Sequence, residues 1–159
     1  MNASGLLAED ERWLRRAIEL SARSRETGKH PFGALVVDRG GRLLAEGTNA
    51  FDADCTAHAE MNAVRAAHAS GAGALAGATL FSSAEPCAMC SGAIYWSGIT
   101  RVVYALSETR LLAITGDHPE NPTLALPCRA VFARGQRAVE VKGPLLEDEA
   151  ARVHEGFWL

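Results

Sequence analysis

Apolar and charged residues alternate with a helical period along the first quarter of the chain. One side of that helix follows this period through Leu6, Leu7, Trp13, Leu14, Ala17, Ile18 and the small polar Ser21. Gly28 and the His30-Pro31 step do not continue a helix easily. The pattern therefore predicts an N-terminal amphipathic helix that ends at Gly28.

Short apolar runs typical of β-strands follow this helix. Ala34–Val37 and Leu43–Ala45 are two such runs, and Asp38-Arg39-Gly40-Gly41 separates them. Because glycine adopts the positive φ that a tight turn needs, the pattern predicts a β-hairpin.

Helical and extended patterns then alternate to the end of the chain. We predict helices over Thr56–Ser70 (with Thr56 as a cap), Cys87–Trp96, Pro127–Arg134 and Glu147–Trp158. We predict strands over Thr79–Ser83, Arg101–Leu106 and Ala138–Lys142, and loops over Ser107–Asn121 and His118–Pro127. This order indicates an α/β fold in one domain, residues 1–159, with helices on both faces of a central sheet. The connection between the fourth and fifth strands is long enough to make that pair parallel.

Composition excludes several classes of protein without naming a function. The chain has 159 residues, is 48% hydrophobic and 22% charged, and carries 16 Lys+Arg against 19 Asp+Glu, a net charge of −3. This balance is unlike disordered, collagenous or coiled-coil chains and disfavours nonspecific binding to nucleic acid or membrane. No apolar run approaches the ~20 residues that span a bilayer, and Met1–Arg12 lacks the pattern of a secretory signal. We expect a cytoplasmic protein whose four cysteines are thiols or metal ligands rather than disulfides.

Four residues concentrate the candidate chemistry: His58 and Glu60 in His58-Ala59-Glu60, and Cys87 and Cys90 in Pro86-Cys87-Ala88-Met89-Cys90. One imidazole and two thiolates form a tetrahedral zinc site with an open fourth position, the pattern of a catalytic zinc. The N–H groups at a helix start help to stabilise the thiolates. In the first turn of its helix, the long side chain of Glu60 can fold back towards water on the metal.

Three other interpretations of these residues stay open. Cys55 could join His58, Cys87 and Cys90 in a closed structural zinc site, and a Cys-x-x-Cys pair alone is shared with redox proteins. A structural zinc module without activity is the third. The full match to the pattern His-x-Glu…Pro-Cys-x-x-Cys, and above all the presence of Glu60, favour a zinc-dependent deaminase.

These motifs resemble the cytidine deaminase superfamily, and within it the branch that holds guanine deaminases, yeast-type cytosine deaminases and tRNA adenosine deaminases. The resemblance extends over most of the chain, through Pro31-Phe32-Gly33-Ala34, Asn49, Thr56–Glu60, Glu85–Cys90 and Arg101–Tyr104. It implies a three-layer α-β-α sandwich around a five-stranded mixed sheet. Met89 and the tail Gly92–Trp96 favour the guanine deaminase neighbourhood.

The resemblance also implies a mechanism. Zn²⁺ held by His58, Cys87 and Cys90 lowers the pKa of a water molecule from about 16 to near 7, and the hydroxide attacks a ring carbon that bears an amine. Glu60 takes the water proton, delivers it to the adjacent ring nitrogen and assists the departure of ammonia, as a shuttle and not as a ligand.

Further residues are candidate substrate contacts. By the resemblance, Asn49 hydrogen-bonds the ring edge of the substrate and Ala59 is a neighbouring contact, although a turn role also explains Asn49. Phe32 either stacks on the base or is a core residue. Trp96 lies either at the pocket mouth or on the surface of a homodimer, which this family commonly forms.

The C-terminal segment carries a separate hypothesis, because in free-base deaminases of this branch it often closes over the active site. Phe157 or Trp158 would then cap the pocket, and Glu155 would contact the substrate amine or relay a proton. Docking of a terminal helix on the core explains these residues equally well.

The expected substrate is a free nucleobase or nucleoside, with a guanine-type purine favoured. In Ser107–Asn121 only Gly116 and Asp117 match the Gly-Phe-Asp-Asp pattern of guanine deaminases, so Asp117 is a candidate contact and cytosine or an aminotriazine stays open. tRNA adenosine deaminases typically carry a basic tail, whereas this chain is net acidic and ends in Glu155–Leu159. Nucleic acid is therefore disfavoured as a partner.

Overall fold

Five strands form one mixed sheet at the centre of the computed structural model, which describes residues 3–71 and 75–159. The strands are β1 (Gly33–Val37), β2 (Leu43–Thr48), β3 (Thr79–Ala84), β4 (Arg101–Leu106) and β5 (Glu140–Lys142), in the order β2-β1-β3-β4-β5. β1 is antiparallel to β2 and to β3, whereas β3, β4 and β5 run parallel. The predicted hairpin and the predicted parallel pair of β4 and β5 are confirmed.

Helices pack on both faces of this sheet. Within the described ranges they are α1 (Ala3–Glu26), α2 (Ala59–Ala69), α3 (Ala88–Ser97), α4 (Glu108–Thr115), α5 (Cys128–Phe132) and α6 (Glu147–His154). Successive strand residues point to opposite faces. Ala34 and Val36 accordingly join the core beneath α2 and α3, whereas Leu35 and Val37 join the core beneath α1 and α6. The predicted three-layer α/β sandwich is confirmed.

Two glycines let one helix on each face approach the sheet closely. A Cβ atom at Gly33 would lie 2.5 Å from the carbonyl oxygen of Ala17 in α1. A Cβ atom at Gly47 would lie 2.6 Å from the backbone nitrogen of Ala63 in α2. Since no side chain fits at these distances, the separation of α1 and α2 from the sheet depends on glycine at both positions.

Two predicted helix boundaries are wrong for local reasons. α2 begins at Ala59 with His58 rather than Thr56 at its N-cap. Asp54 Oδ1 accepts hydrogen bonds from both the N–H and the hydroxyl of Thr56, which fixes a turn there instead. The last helix, α6, ends at His154, and residues 155–157 form a turn.

The sequence pattern does not predict α4, because it indicates a loop over Ser107–Asn121. Ser107 caps this helix by accepting the N–H of Arg110 at 3.3 Å, and Gly116 follows its last residue. Leu111 anchors α4 in the core beneath α1. The predicted loop over His118–Pro127 is confirmed, since these residues form neither helix nor strand. None of the helices in residues 3–71 and 75–159 is both long and apolar enough to cross a membrane.

Candidate active site

A cavity of about 290 Å³ lies at the edge of the sheet where β3 and β4 end. Ligands of open α/β sheets bind beyond the carboxyl ends of parallel strands. Because β1 is antiparallel to both of its neighbours, the segments before β1 and after β2 reach the same edge. These segments, the starts of α2, α3 and α4, and Glu120–Leu124 form the walls. The volume is near the lower end of the ~300–1,000 Å³ range of small-molecule sites, so the cavity suits a small ligand.

Three potential metal ligands meet at this cavity. His58 Nδ1 lies 3.7 Å from Cys87 Sγ and 3.6 Å from Cys90 Sγ. The ligand atoms of all three residues lie within 4.8 Å of one another. Tetrahedral zinc, with Zn–S bonds of about 2.3 Å and Zn–N bonds of about 2.0 Å, places such atoms about 3.5 Å apart. The donor types and their spacing therefore fit zinc.

The starts of two helices bring these ligands together. His58 is the N-cap of α2, Cys87 is the N-cap of α3, and Cys90 lies in the first turn of α3. Hydrogen bonds from Cys90 and His58 lower the pKa of Cys87 to about 4, despite burial. The bond with Cys87 raises the pKa of His58. The site thus favours thiolate at Cys87, the form in which sulfur binds a metal.

Cys55 is not part of this ligand group. Its side chain is exposed at the cavity wall. Across residues 3–71 and 75–159, the group of side chains positioned to hold an ion contains His58, Cys87 and Cys90 without Cys55. The closed four-ligand interpretation therefore has no support, and three protein ligands leave the fourth position open, as in catalytic zinc sites.

Glu60 is buried beside the ligands at the start of α2. Its Oε1 accepts a hydrogen bond from Ser82 Oγ at 3.0 Å, and its Oε2 accepts one from the thiol of Cys90 at 3.6 Å. Burial, reinforced by the charge of Cys87, raises the pKa of Glu60. A carboxyl group with a raised pKa in a cavity is suited to accept and release a proton.

Asn49 and Phe32 both line the cavity and both have structural contacts as well. Asn49, only 4% exposed, accepts the N–H of Phe51 at its Oδ1. Its Nδ2 has no protein partner in the part of the chain that the structure describes, so it can donate to a ligand. The ring of Phe32 packs 5.3 Å from that of His154. The structural and ligand-binding interpretations of these two residues are therefore compatible.

Four predicted substrate-site residues lie away from the cavity wall. Ala59 is fully buried, its carbonyl against Gly47. Trp96 is 85% exposed on α3, Asp117 is exposed after α4, and Glu155 is exposed after α6. The geometry provides no contact between these side chains and a ligand in the cavity. The alternative for Trp96, a dimer surface, stays a prediction.

Trp158 packs against the residues of the cavity wall without lining the cavity itself. Its indole N–H donates to His154 Nδ1 at 3.1 Å, and its ring lies 5.2 Å from His30 and 6.2 Å from Phe32, both measured between centroids. In this structure the C-terminal segment docks beside the cavity wall, and that Trp158 or Phe157 caps the pocket stays a prediction.

Three carboxyl groups at the cavity, those of Glu85, Glu108 and Glu120, are missing from the sequence prediction. Glu85 Oε2 accepts the N–H of Glu108 and Oε1 accepts that of Cys128, so this carboxylate joins the starts of α4 and α5. Glu120 Oε2 lies 3.0 Å from Nε2 of His30, 90 positions away along the chain. No local pattern signals a contact of that separation.

Known proteins are similar to this chain in both sequence and fold. Residues 7–106 match the sequence model of the cytidine and deoxycytidylate deaminase zinc-binding region. A probable cytosine deaminase of Schizosaccharomyces pombe is 40% identical over 159 residues, which cover 99% of this chain and 98% of that protein.

Two solved structures show the same likeness. That of a guanine deaminase from Nitrosomonas europaea has a TM-score of 0.75 at 32% identity and covers 91% of this chain and 82% of that one. A complex with 2,6-diaminopurine has a TM-score of 0.78 at 32% identity and covers 93% of this chain and 80% of that one.

Proposed function

Because the chain belongs to the cytidine and deoxycytidylate deaminase family of zinc-binding hydrolases, we propose that it deaminates a free nucleobase or nucleoside, a guanine-type purine first. Membership of this family shows that the chain is a zinc-binding deaminase that acts on nucleobases. The observation that carries the proposal is the position of Glu60 beside His58, Cys87 and Cys90 at a cavity for a small ligand.

The chain supplies the proton transfers of this reaction. Zinc held by His58, Cys87 and Cys90 would supply Lewis-acid activation of the attacking water at neutral pH. Glu60 accepts a proton from that water and delivers it to the ring nitrogen beside the carbon under attack. The ring carbon then loses its amine as ammonia, so one water is consumed and C–NH₂ becomes C=O. Ser82 donates to Oε1 of Glu60, whereas Oε2 lies 3.6 Å from the metal ligand Cys90, so we assign the proton transfer to Oε2, the oxygen nearer the metal site.

Asn49 and Phe32 supply contacts for the ring. The amide nitrogen of Asn49 can donate to an acceptor on the edge of a base. The phenyl ring of Phe32 offers an apolar face to the cavity. We also propose a cytoplasmic homodimer, with the exposed Trp96 on its surface.

A cytosine-type pyrimidine is the second candidate substrate. The similarity to the S. pombe protein named a probable cytosine deaminase, which extends over nearly the full length of both chains, favours it. The guanine type ranks first because the N. europaea guanine deaminase and the 2,6-diaminopurine complex have the same fold over nine-tenths of this chain. The net charge of −3 disfavours tRNA.

Ammonia release by the zinc-loaded protein tests this proposal. The panel contains guanine, cytosine, adenine, their nucleosides, an aminotriazine and a tRNA anticodon stem-loop, with Glu60→Ala as the blank. We expect the highest kcat/KM with guanine, and a maximum with cytosine would support the second candidate. Activity confined to the stem-loop, or silence of the whole panel although zinc is bound, would contradict the proposal.

A further inference from the structure

Four carboxyl groups line the cavity, and they differ in whether the protein itself engages them. Glu60 accepts from Ser82 at 3.0 Å, Glu85 accepts two backbone N–H groups, and Glu120 lies 3.0 Å from His30. The carboxyl group of Glu108 forms no hydrogen bond or ion pair within residues 3–71 and 75–159. Of the four cavity carboxyl groups, that of Glu108 is therefore the one that no described residue engages and that is free to bind a ligand.

The backbone of Glu108 is nevertheless well fixed. Glu108 is the first residue of α4, whose N-cap is Ser107. Its N–H donates to Glu85 Oε2 at 3.0 Å, which joins it to the segment that carries the metal ligand Cys87. A fixed backbone holds the side chain at one place on the cavity wall, as precise recognition of a ligand requires.

A half-buried carboxyl group without a partner is unfavourable in a folded protein, because buried polar groups normally have hydrogen bonds. Burial, together with the charges of Glu85, Cys87 and Glu60, raises the pKa of Glu108 to about 7. The charge of His58 offsets this only in part, and no hydrogen bond from the described residues stabilises the carboxylate. A ligand that brings an N–H donor would do so.

The chemistry of the reaction limits which donor that is. The end of the base that reacts, its amine and the ring nitrogen beside it, faces Glu60 and the metal ligands. A free base has a further ring N–H, at N9 of guanine or N1 of cytosine. In a nucleoside the same nitrogen carries the sugar and has no hydrogen. Glu108 reaches the cavity from the start of α4 and, unlike Glu60, Glu85 and Glu120, has no partner for its carboxyl group among the described residues, so it is the carboxyl group left for this second donor.

We propose that Glu108 is a specificity-determining residue whose carboxylate accepts a hydrogen bond from the ring N–H that a free base has and its nucleoside lacks. The inference rests on the proposed function and narrows it to free bases. A nucleoside would leave this carboxylate unpaired, and sites built to bind an N–H reject ligands without it by up to roughly 10⁴- to 10⁵-fold. The small volume of the cavity points the same way.

The test compares kcat/KM for guanine and guanosine, and for cytosine and cytidine, in three zinc-loaded proteins: wild type, Glu108→Gln and Glu140→Gln. Glu140 is the matched control, because it is exposed and pairs with Arg101 at the opposite end of β4. We expect Glu108→Gln to lower kcat/KM for the base by roughly 10- to 100-fold, the size of a hydrogen bond to a charged group. The nucleoside value should stay the same or rise, because the variant has no carboxylate for a nucleoside to leave unpaired, so the preference for the base falls by at least the same factor.

Glu108→Asp, which keeps the charge, should restore part of the preference, and Glu140→Gln should match wild type. Equal losses for base and nucleoside, or no loss, would overturn the inference. Binding measured by calorimetry distinguishes a failure of the inference about Glu108 from a failure of the proposed function. If no base is turned over, the proposed function fails, yet weaker binding of 8-azaguanine to Glu108→Gln than to Glu140→Gln still supports Glu108. Equal binding to both variants, or to neither, overturns it.

Discussion

Charged groups lie at both ends of β4, and the two clusters differ in how completely they are paired. At the amino end, Arg101 donates to both oxygens of Asp10 at 2.7 and 2.8 Å, and Lys142 donates to Asp10 at 2.7 Å. At the carboxyl end, Glu108 has no partner among the residues that the structure describes. The paired cluster joins α1, β4 and β5, whereas the unpaired carboxyl faces a cavity.

The direction of the pKa shift reports this difference. Burial alone would raise the pKa of Asp10, which is 1% exposed, but the hydrogen bonds and charges of Arg101 and Lys142 together hold it below 3.8. At Glu60 and Glu108 burial prevails and the pKa is raised. A lowered pKa therefore marks the carboxylate that stabilises the fold, and a raised pKa marks the carboxyl groups kept for chemistry.

Glu60→Gln should give the largest effect. Glutamine keeps the volume of the side chain and a bond to Ser82, but it cannot carry the proton. We expect kcat for ammonia release to fall roughly 10²- to 10⁴-fold. Zinc content by metal analysis and the melting temperature should stay at the wild-type values. Joint loss of zinc and fold would show that Glu60 belongs with the structural carboxylates instead.

Asp10→Asn makes the same carboxyl-to-amide change at the other end of β4 and should have the opposite outcome. Lys142 would lose its counter-charge and Arg101 would keep only that of the exposed Glu140, and removal of one partner from a buried ion pair destabilises by about 3 kcal/mol. Denaturant unfolding measures this loss, and kcat of the folded protein should equal that of wild type. A fall in kcat without a fall in stability would erase the distinction between the two ends.

The pH dependence of unfolding sharpens the assignment of Asp10. Since its pKa in the folded protein lies below the ordinary 3.8, its contribution to stability is present above about pH 4 and is lost as the pH falls through the folded pKa. The gap in free energy of unfolding between wild type and Asp10→Asn should be constant near neutral pH and narrow below about pH 4. Denaturant titrations across this range supply the check, and a gap of constant size would exclude the ion pair as its source.

Glu155→Gln should have the smallest effect, because the side chain is exposed after α6 and away from the cavity wall. We expect unchanged ammonia release and an unchanged melting temperature. Lost turnover at an unchanged melting temperature would instead place Glu155 at the reaction, as the sequence hypothesis has it.

The metal site could be predicted from the sequence because its information is local. His58 and Glu60 are two residues apart, Cys87 and Cys90 are three apart, and each pair sits at a helix start. The strands β3 and β4 could be predicted equally well, since each is a short, mostly apolar run between turns and is almost wholly buried.

The rest of the site depends on contacts between distant parts of the chain. Glu108 escaped prediction although Ser107 before it and Gly116 after the helix are the start and stop signals of α4. The place of Trp158 could not be deduced in this way, because the rings of His30 and Phe32 that it packs against lie more than 120 positions earlier. Packing of that kind is decided by the folded core and leaves no periodic pattern.

Gly47 sets the spacing between α2 and β2, and this spacing in turn sets the position of the metal ligand His58 at the start of α2. α2 carries the histidine ligand, whereas both thiolates come from α3 and the residue before it, so displacement of α2 alone would pull the ligand set apart. A methyl group at position 47, 2.6 Å from the backbone nitrogen of Ala63, would push α2 away from β2. Residue 47 is thus a point where metal affinity could be tuned in an engineered chain without touching a ligand. Bound zinc, in return, would act as a cross-link that fastens the start of α2 to the start of α3.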